Sequence, residues 1–337
     1  MRREDKKKAS DSVLIRIFSL LLQSKHTNDS KMINRVLIRI KIIQIVYAYY
    51  QNGSKNLDAA EKELLFSLSK AYDLYNYLLM LMVAVTNYAQ RKLDTRTRLE
   101  EEIKAKYKAL VGNKFIAQLE INKQLLDYVS TQKRTWADDN LVVKDLFDKV
   151  MESPAFMEYL ALADRSYEDD REFWRKTYKK LIMENDSLDA FLEDQSLYWN
   201  DDKEVVDSFV MKTIKRFDEK NGANQELVPE YKDEEDREFA IRLFRRSILN
   251  GEEYRKLIED NIRNWDLDRL AFMDMIIMQV AVTEMLSFPN IPLSVTLNEY
   301  VELAKNYSTH KSGSFVNGTL DGVIKKLQEE GRLLKSF

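Results

Sequence analysis

The chain has 337 residues but only 8 glycines and 4 prolines. A many-stranded sheet needs a tight turn every few residues, and glycine and proline supply most of that turn chemistry. So little of it leaves long uninterrupted segments rich in Leu, Glu, Lys and Ala, all good helix formers. The expected class is all-α. The chain exceeds the usual single-domain length, so ample core is expected.

The net charge of -3 gives no global case for a polyanionic partner, but its distribution is uneven. Residues 1–50 carry 11 Lys and Arg against 4 Asp and Glu, which leaves a net -10 for the remainder. A basic end on an acidic body points to one local anion site. The absence of cysteine removes disulfides, thiolate ligands and cysteine nucleophiles together and fits a cytoplasmic location. With two histidines, His26 and His310, a His-rich metal site or a Ser-His-Asp arrangement is disfavoured. No phosphate-binding glycine loop or metalloprotease motif occurs, and no enzyme activity, cofactor or metal is expected. The longest apolar run, residues 77–85, is too short to cross a bilayer, so no membrane association is expected.

Residues 1–31 read as a basic N-terminal extension. The stretch RVLIRIKIIQIVYAYY (35–50) predicts a helix whose stripe Val36, Ile40, Ile43, Tyr47 and Tyr50 is buried, with Arg35 and Arg39 sharing another face. Those arginines either solubilise the helix or hold something anionic. A long amphipathic helix follows from Leu57, with a boundary near residue 91. The region 91–235 holds three of the four tryptophans, Trp136, Trp174 and Trp199, and is expected to have a packed core. Toward the end come a helix over 238–265 with a break at Asn250 and Gly251, and an apolar helix over 266–286. Another helix is capped by Ser294 or Thr296, and a last one over 315–327 follows the linker KSGS (311–314).

Four fragments in this order carry a resemblance. They are R-x-x-x-x-Q-x-x-Y at Arg39, Gln44 and Tyr47, a late apolar helix carrying Glu284, N-E-x-x-x-L-A-K from Asn298 to Lys305, and F-V-N-G from Phe315 to Gly318. Together the chain resembles the NusB family of bacterial transcription antitermination factors. The resemblance implies two small helical bundles of NusB type with an additional helical insertion in the first. It divides the chain into 32–90, the first part of the N-terminal NusB-like bundle, an insertion at 91–235, and the rest of the NusB-like fold, including the C-terminal bundle, at 236–337. It implies binding to boxA-type single-stranded RNA of ribosomal RNA leaders jointly with NusE, a small ribosomal subunit protein, and recruitment to RNA polymerase to promote read-through. Gln279 stands where the family often has arginine, and Lys311 where it often has an acidic residue.

On this resemblance the expected RNA-binding residues are Arg35, Arg39, Lys41, Tyr47, Lys311 and Phe315, and the expected partner-binding acids are Asp274, Glu284 and Glu299. Each has a plainer reading: a solvated face for the arginines, core packing for Tyr47, pairing within its own bundle for Glu299. The alternative function is a helical protein-protein adaptor that does not touch RNA. NusB-like bundles also front certain RNA methyltransferases, but those need a catalytic cysteine, which this chain lacks. If 91–235 is an insertion, the helices of 35–90 should pack on those of 238–265, with Tyr47 and Tyr75 near Phe239, Ile241 or Phe244.

Overall fold

The computed structural model describes residues 33–53, 56–95, 98–132, 135–136, 140–231, 234–262, 271–309 and 311–333. The expected N-terminal extension, His310 and the start of the 266–286 helix lie outside the described residues. Among the described residues there is no strand, and the class is all-α. The chain divides into two compact units, one including 33–68 and 231–337, the other including 69–230.

The first unit contains α1 (Arg35–Gln51) and the start of α2 (Leu57–Thr95). It is completed by α11 (Glu234–Leu249), α12 (Gly251–Glu259), α13 (Phe272–Ser287), α14 (Leu293–Tyr307) and α15 (Ser312–Glu329). Asn34 starts α1 by accepting the Leu37 amide on its side-chain oxygen at 2.9 Å, satisfying one orphan donor of the first turn. Helix α13 is the hub. It packs against α1, α11, α12, α14 and α15, and every residue from Asp274 to Met285 is buried. A helix enclosed on all sides has no polar face, and its few polar residues, among them Gln279 and Glu284, are hydrogen-bonded in the interior.

Helix α1 departs from the expected single stripe. Leu37 to Ile43 are all buried, Arg39 and Lys41 included, because α1 packs against both α11 and α13. Two further expectations need correction. Thr296 and Ser294 lie inside α14, which starts at Leu293 after Pro292, so neither is its cap. The KSGS segment is no loop: α15 begins at Ser312, and the Phe315 amide already donates to the Lys311 carbonyl.

The second unit runs from α2 through α3 (Glu101–Val111), α4 (Lys114–Glu120), α5 (Lys123–Thr131), α6 (Asn140–Glu152) and α7 (Pro154–Leu160). It continues through α8 (Tyr167–Thr177), α9 (Asp186–Gln195) and α10 (Lys203–Arg216). Asn113, Asn122 and Ser153 cap α4, α5 and α7, and Ser166 with Asp169 forms a capping box on α8. Its core matches the expectation from the tryptophans. Trp174 is fully buried, Tyr77 stacks on Trp136 at 4.1 Å, and the Trp199 indole donates to the Lys70 carbonyl at 2.8 Å. Helix α8 runs into a π turn, Tyr178–Ile182, and buried Lys203 donates to the Ile182 and Met183 carbonyls and to Asp207.

Packing of α1 on α11 is as expected, but the aromatic neighbours are not. Tyr47 lies against Phe272 on α13, with ring centroids 5.4 Å apart. Tyr75 belongs to the second unit, where its hydroxyl meets Thr213 at 2.7 Å and accepts the Val228 amide. Residues 57–68 of α2 belong to the first unit and its remaining residues to the second.

Candidate nucleic-acid interface

Arg35 and Arg39 stand one turn apart on α1, yet their surroundings differ. Arg35 keeps a side-chain exposure of 35% and reaches α11, with Nη2 2.8 Å from Glu235 Oε1 and Nε 3.7 Å from Asp236 Oδ1. Its guanidinium lies 5.0 Å from the centroid of the Phe239 ring. The face the two arginines share turns inward along the helix, and Arg39 ends up in the interior.

There Arg39 makes a bidentate pair with Glu284 on α13, Nε to Oε2 at 2.8 Å and Nη2 to Oε1 at 2.9 Å. The same carboxylate accepts from Thr296 Oγ1 at 2.9 Å and from the Tyr300 hydroxyl at 3.0 Å, both on α14. Arg39 Nη1 also lies 3.5 Å from Glu299 Oε2. Desolvating two charges is costly, and only full hydrogen bonding makes such a pair tolerable. Here each Glu284 oxygen takes two bonds. Burial by itself would lower the arginine's pKa, but the Glu284 charge and its hydrogen bonds outweigh burial and hold Arg39 above its ordinary value. Burial, followed by the nearby Glu284 charge, pushes the Tyr300 phenol well up, so it remains a neutral donor.

The expectation that Arg39 faces outward is therefore overturned, and with it the picture of Glu284 as a surface acid: both are buried, at 3% and 0% exposure. Their physical reason is each other. Arg39 was expected at RNA and Glu284 and Glu299 at a protein partner, and the structure brings all three into one network tying α1 to α13 and α14. Lys41 is buried as well.

A second cluster gathers at the N-terminal ends of α13 and α15. Asp274 Oδ2 accepts from Ser312 Oγ at 2.8 Å, and Ser312 Oγ in turn accepts the Thr309 amide at 3.0 Å. Asp274 is buried, so it too is no surface acid in this structure. The clasp fixes the turn that presents Lys311, which is exposed, while Phe315, one turn into α15, is buried at 8%. Tyr47 is half-buried. Glu299 keeps 24% side-chain exposure. Gln279 is wholly buried and donates to the Ser247 carbonyl at 2.6 Å and to the Tyr50 hydroxyl at 3.1 Å.

Reading the sequence missed Phe239, Asp236, Thr296 and Tyr300 as members of these clusters. Thr296 and Tyr300 sit one helical turn apart, a spacing that puts both on one face of α14. That spacing was the one available signal.

The NusB family model matches residues 203–325. The transcription antitermination protein NusB of Salinibacter ruber is 39% identical over 133 residues, which cover 38% of this chain and 83% of that protein. NusB of Finegoldia magna is 46% identical over 90 residues, covering 26% of this chain and 66% of that protein. NusB of Acetivibrio thermocellus is 42% identical over 92 residues, covering 27% and 63%. A solved structure of T. maritima NusB is 27% identical and covers 48% of this chain and 95% of that chain, with a TM-score of 0.28. That superposition is too loose to carry weight, and the kinship rests on sequence.

Proposed function

Because the chain belongs to the NusB family, we propose that it is a transcription antitermination factor. In this reading it binds boxA-type single-stranded RNA of ribosomal RNA leaders together with NusE and promotes read-through by RNA polymerase. Residues 32–90 and 236–337 form the family-type part, and 91–235 is an accessory inserted into it. Support comes from the compact unit that includes 33–68 and 231–337, although residues 69–90 fall in the second unit and the family match also takes in residues 203–235.

One observation carries the reading. Motif fragments as distant as Arg39, Glu284, Glu299 and the Lys311–Phe315 turn are drawn into a single compact unit by direct side-chain bonds. In this site Arg35 and Lys311 supply positive charge at the surface, and Tyr47 offers a half-buried ring. Arg39 acts behind them, holding α1 in place. Lys41 and Phe315 are both buried and have no direct place at the RNA in this reading. Of the acids, Glu299 alone keeps appreciable exposure toward a basic partner, while Asp274 and Glu284 set the helices that frame it. Single-stranded RNA is the fitting ligand, because its bases can be splayed and stacked while its phosphates meet the arginine. So few exposed charges bind weakly alone, so a second protein that extends the basic surface is required.

Titration of the full chain with a boxA-type RNA, with and without NusE, tests this. Binding is expected to tighten with NusE and to fall with salt at a log-log slope of about -0.7 per phosphate contact. No binding at any salt with NusE present would leave the adaptor reading in its place.

A further inference from the structure

Helix α11 carries four arginines, and they divide into two pairs. Arg237 is held by Glu234 at 2.9 Å and Arg245 by Asp58 at 2.6 Å and by Glu61. Arg242 and Arg246, one turn apart and both exposed, have no carboxylate within ion-pairing distance among the described residues. Glu238, one turn before Arg242 and itself exposed, forms no ion pair with it. Instead Arg242 lies over the Phe288 ring at 5.1 Å, and Arg246 donates to Ser287 Oγ at 3.2 Å.

These contacts run on from Arg35. Its guanidinium lies over Phe239, and Phe239 packs on Phe288 with ring centroids 4.7 Å apart. Two packed rings, buried Phe239 and half-buried Phe288, therefore join Arg35 on α1 to Arg242 on α11, and Arg246 stands one turn further along α11. Guanidinium planes held on rings suit both phosphates and the faces of unpaired bases. An acidic peptide would need the charges but would gain nothing from guanidinium planes laid on rings.

We propose that Arg242 and Arg246 form a second single-stranded RNA contact, which receives the strand as it leaves Arg35. This rests on the RNA-binding reading above and lengthens its footprint along α11. The contact is to the backbone and to stacked bases, so it is indifferent to sequence, and it lies on residues that none of the family-type fragments includes.

The test uses the full chain with NusE and three RNAs: a boxA-type segment, and the same segment with an oligouridylate tail at one end or at the other. In the wild type, a tail at one end should tighten binding severalfold. In the Arg242→Ala, Arg246→Ala double variant, that gain should vanish, and the log-log salt slope on the tailed RNA should become shallower by about 1.4, two contacts at about 0.7 each. Affinity for the untailed segment and the thermal midpoint should stay as in the wild type, and Arg242→Lys, Arg246→Lys should restore the slope. If neither tail adds affinity while the untailed RNA binds, the second contact is wrong and the RNA reading stands. If the double variant weakens NusE binding and leaves the slope alone, the strip docks protein and the proposal is overturned. If the wild type binds none of the three RNAs, both readings fall.

Discussion

Two arginines one turn apart, drawn from one sequence motif, have opposite surroundings, and substitution should separate them. Arg39→Ala strands the Glu284 carboxylate in the interior, and breaking one side of a buried pair costs about 3–5 kcal/mol. Arg35→Ala removes a partly exposed pair with Glu235, which contributes at most about 1 kcal/mol, and a longer contact of 3.7 Å to buried Asp236, so its loss should stay well below that of Arg39→Ala. Chemical denaturation of both variants should show that gap, with Arg35→Ala weakening RNA binding at near-native stability. Equal and small losses would mean that the Arg39 network holds nothing. Glu299 adds a pH test. Burial raises its carboxyl above the ordinary 4.5, with Arg39 opposing and Glu284 assisting. A carboxyl that binds its proton more tightly folded than unfolded contributes stability that is fully present below the unfolded value of about 4.5. That contribution is lost as pH rises from there through the raised folded value. Glu299→Gln should flatten the stability profile across that window, and an unchanged profile would assign the slope to other groups. Gly251 is the most tightly enclosed glycine among the described residues: a Cβ there would meet the Tyr50 hydroxyl and lie 2.8 Å from Gln279 Nε2. Gly251→Ala should therefore cost about 1–3 kcal/mol by overpacking, readable in the denaturation midpoint.

At the level of helices, periodicity located α1, α2, α13 and α14, since each shows a long apolar pattern that only a helix buries well. It misjudged what surrounds α1. A charged residue in an apolar helix reads as solvent-facing, and nothing local reveals that the acid meeting Arg39 stands 245 residues further along the chain. The start of α15 was misread for a related reason. Gly and Ser are poor helix formers, so KSGS looks like a linker, whereas the bonds of Ser312 to Asp274 and Thr309 hold its first turn in place. Asp274→Ala should release that turn. Amide exchange over residues 309–316 should quicken while α11 and α12 stay protected, and uniform quickening everywhere would show a global role instead. Ile40→Ala, by contrast, empties a buried site on α1 and should cost about 2–5 kcal/mol.

Across the whole molecule, the all-α class was legible because scarcity of turn residues constrains every segment at once. The role of residues 91–235 was not legible, because their core of Trp174, Tyr178 and Phe209 records packing and no ligand chemistry. Within the first unit, the proposed activity depends on α1, α13, α14 and α15 being held together as one surface, with Arg35 and Lys311 outermost. Transcription through a ribosomal leader tests this most directly. A template carrying a boxA-type segment ahead of a terminator is transcribed by bacterial RNA polymerase with NusE and the companion antitermination proteins, with and without the full chain. Adding the chain should raise read-through on that template and leave a template with a scrambled segment unchanged. Read-through that rises equally on both, or on neither, would contradict the assignment.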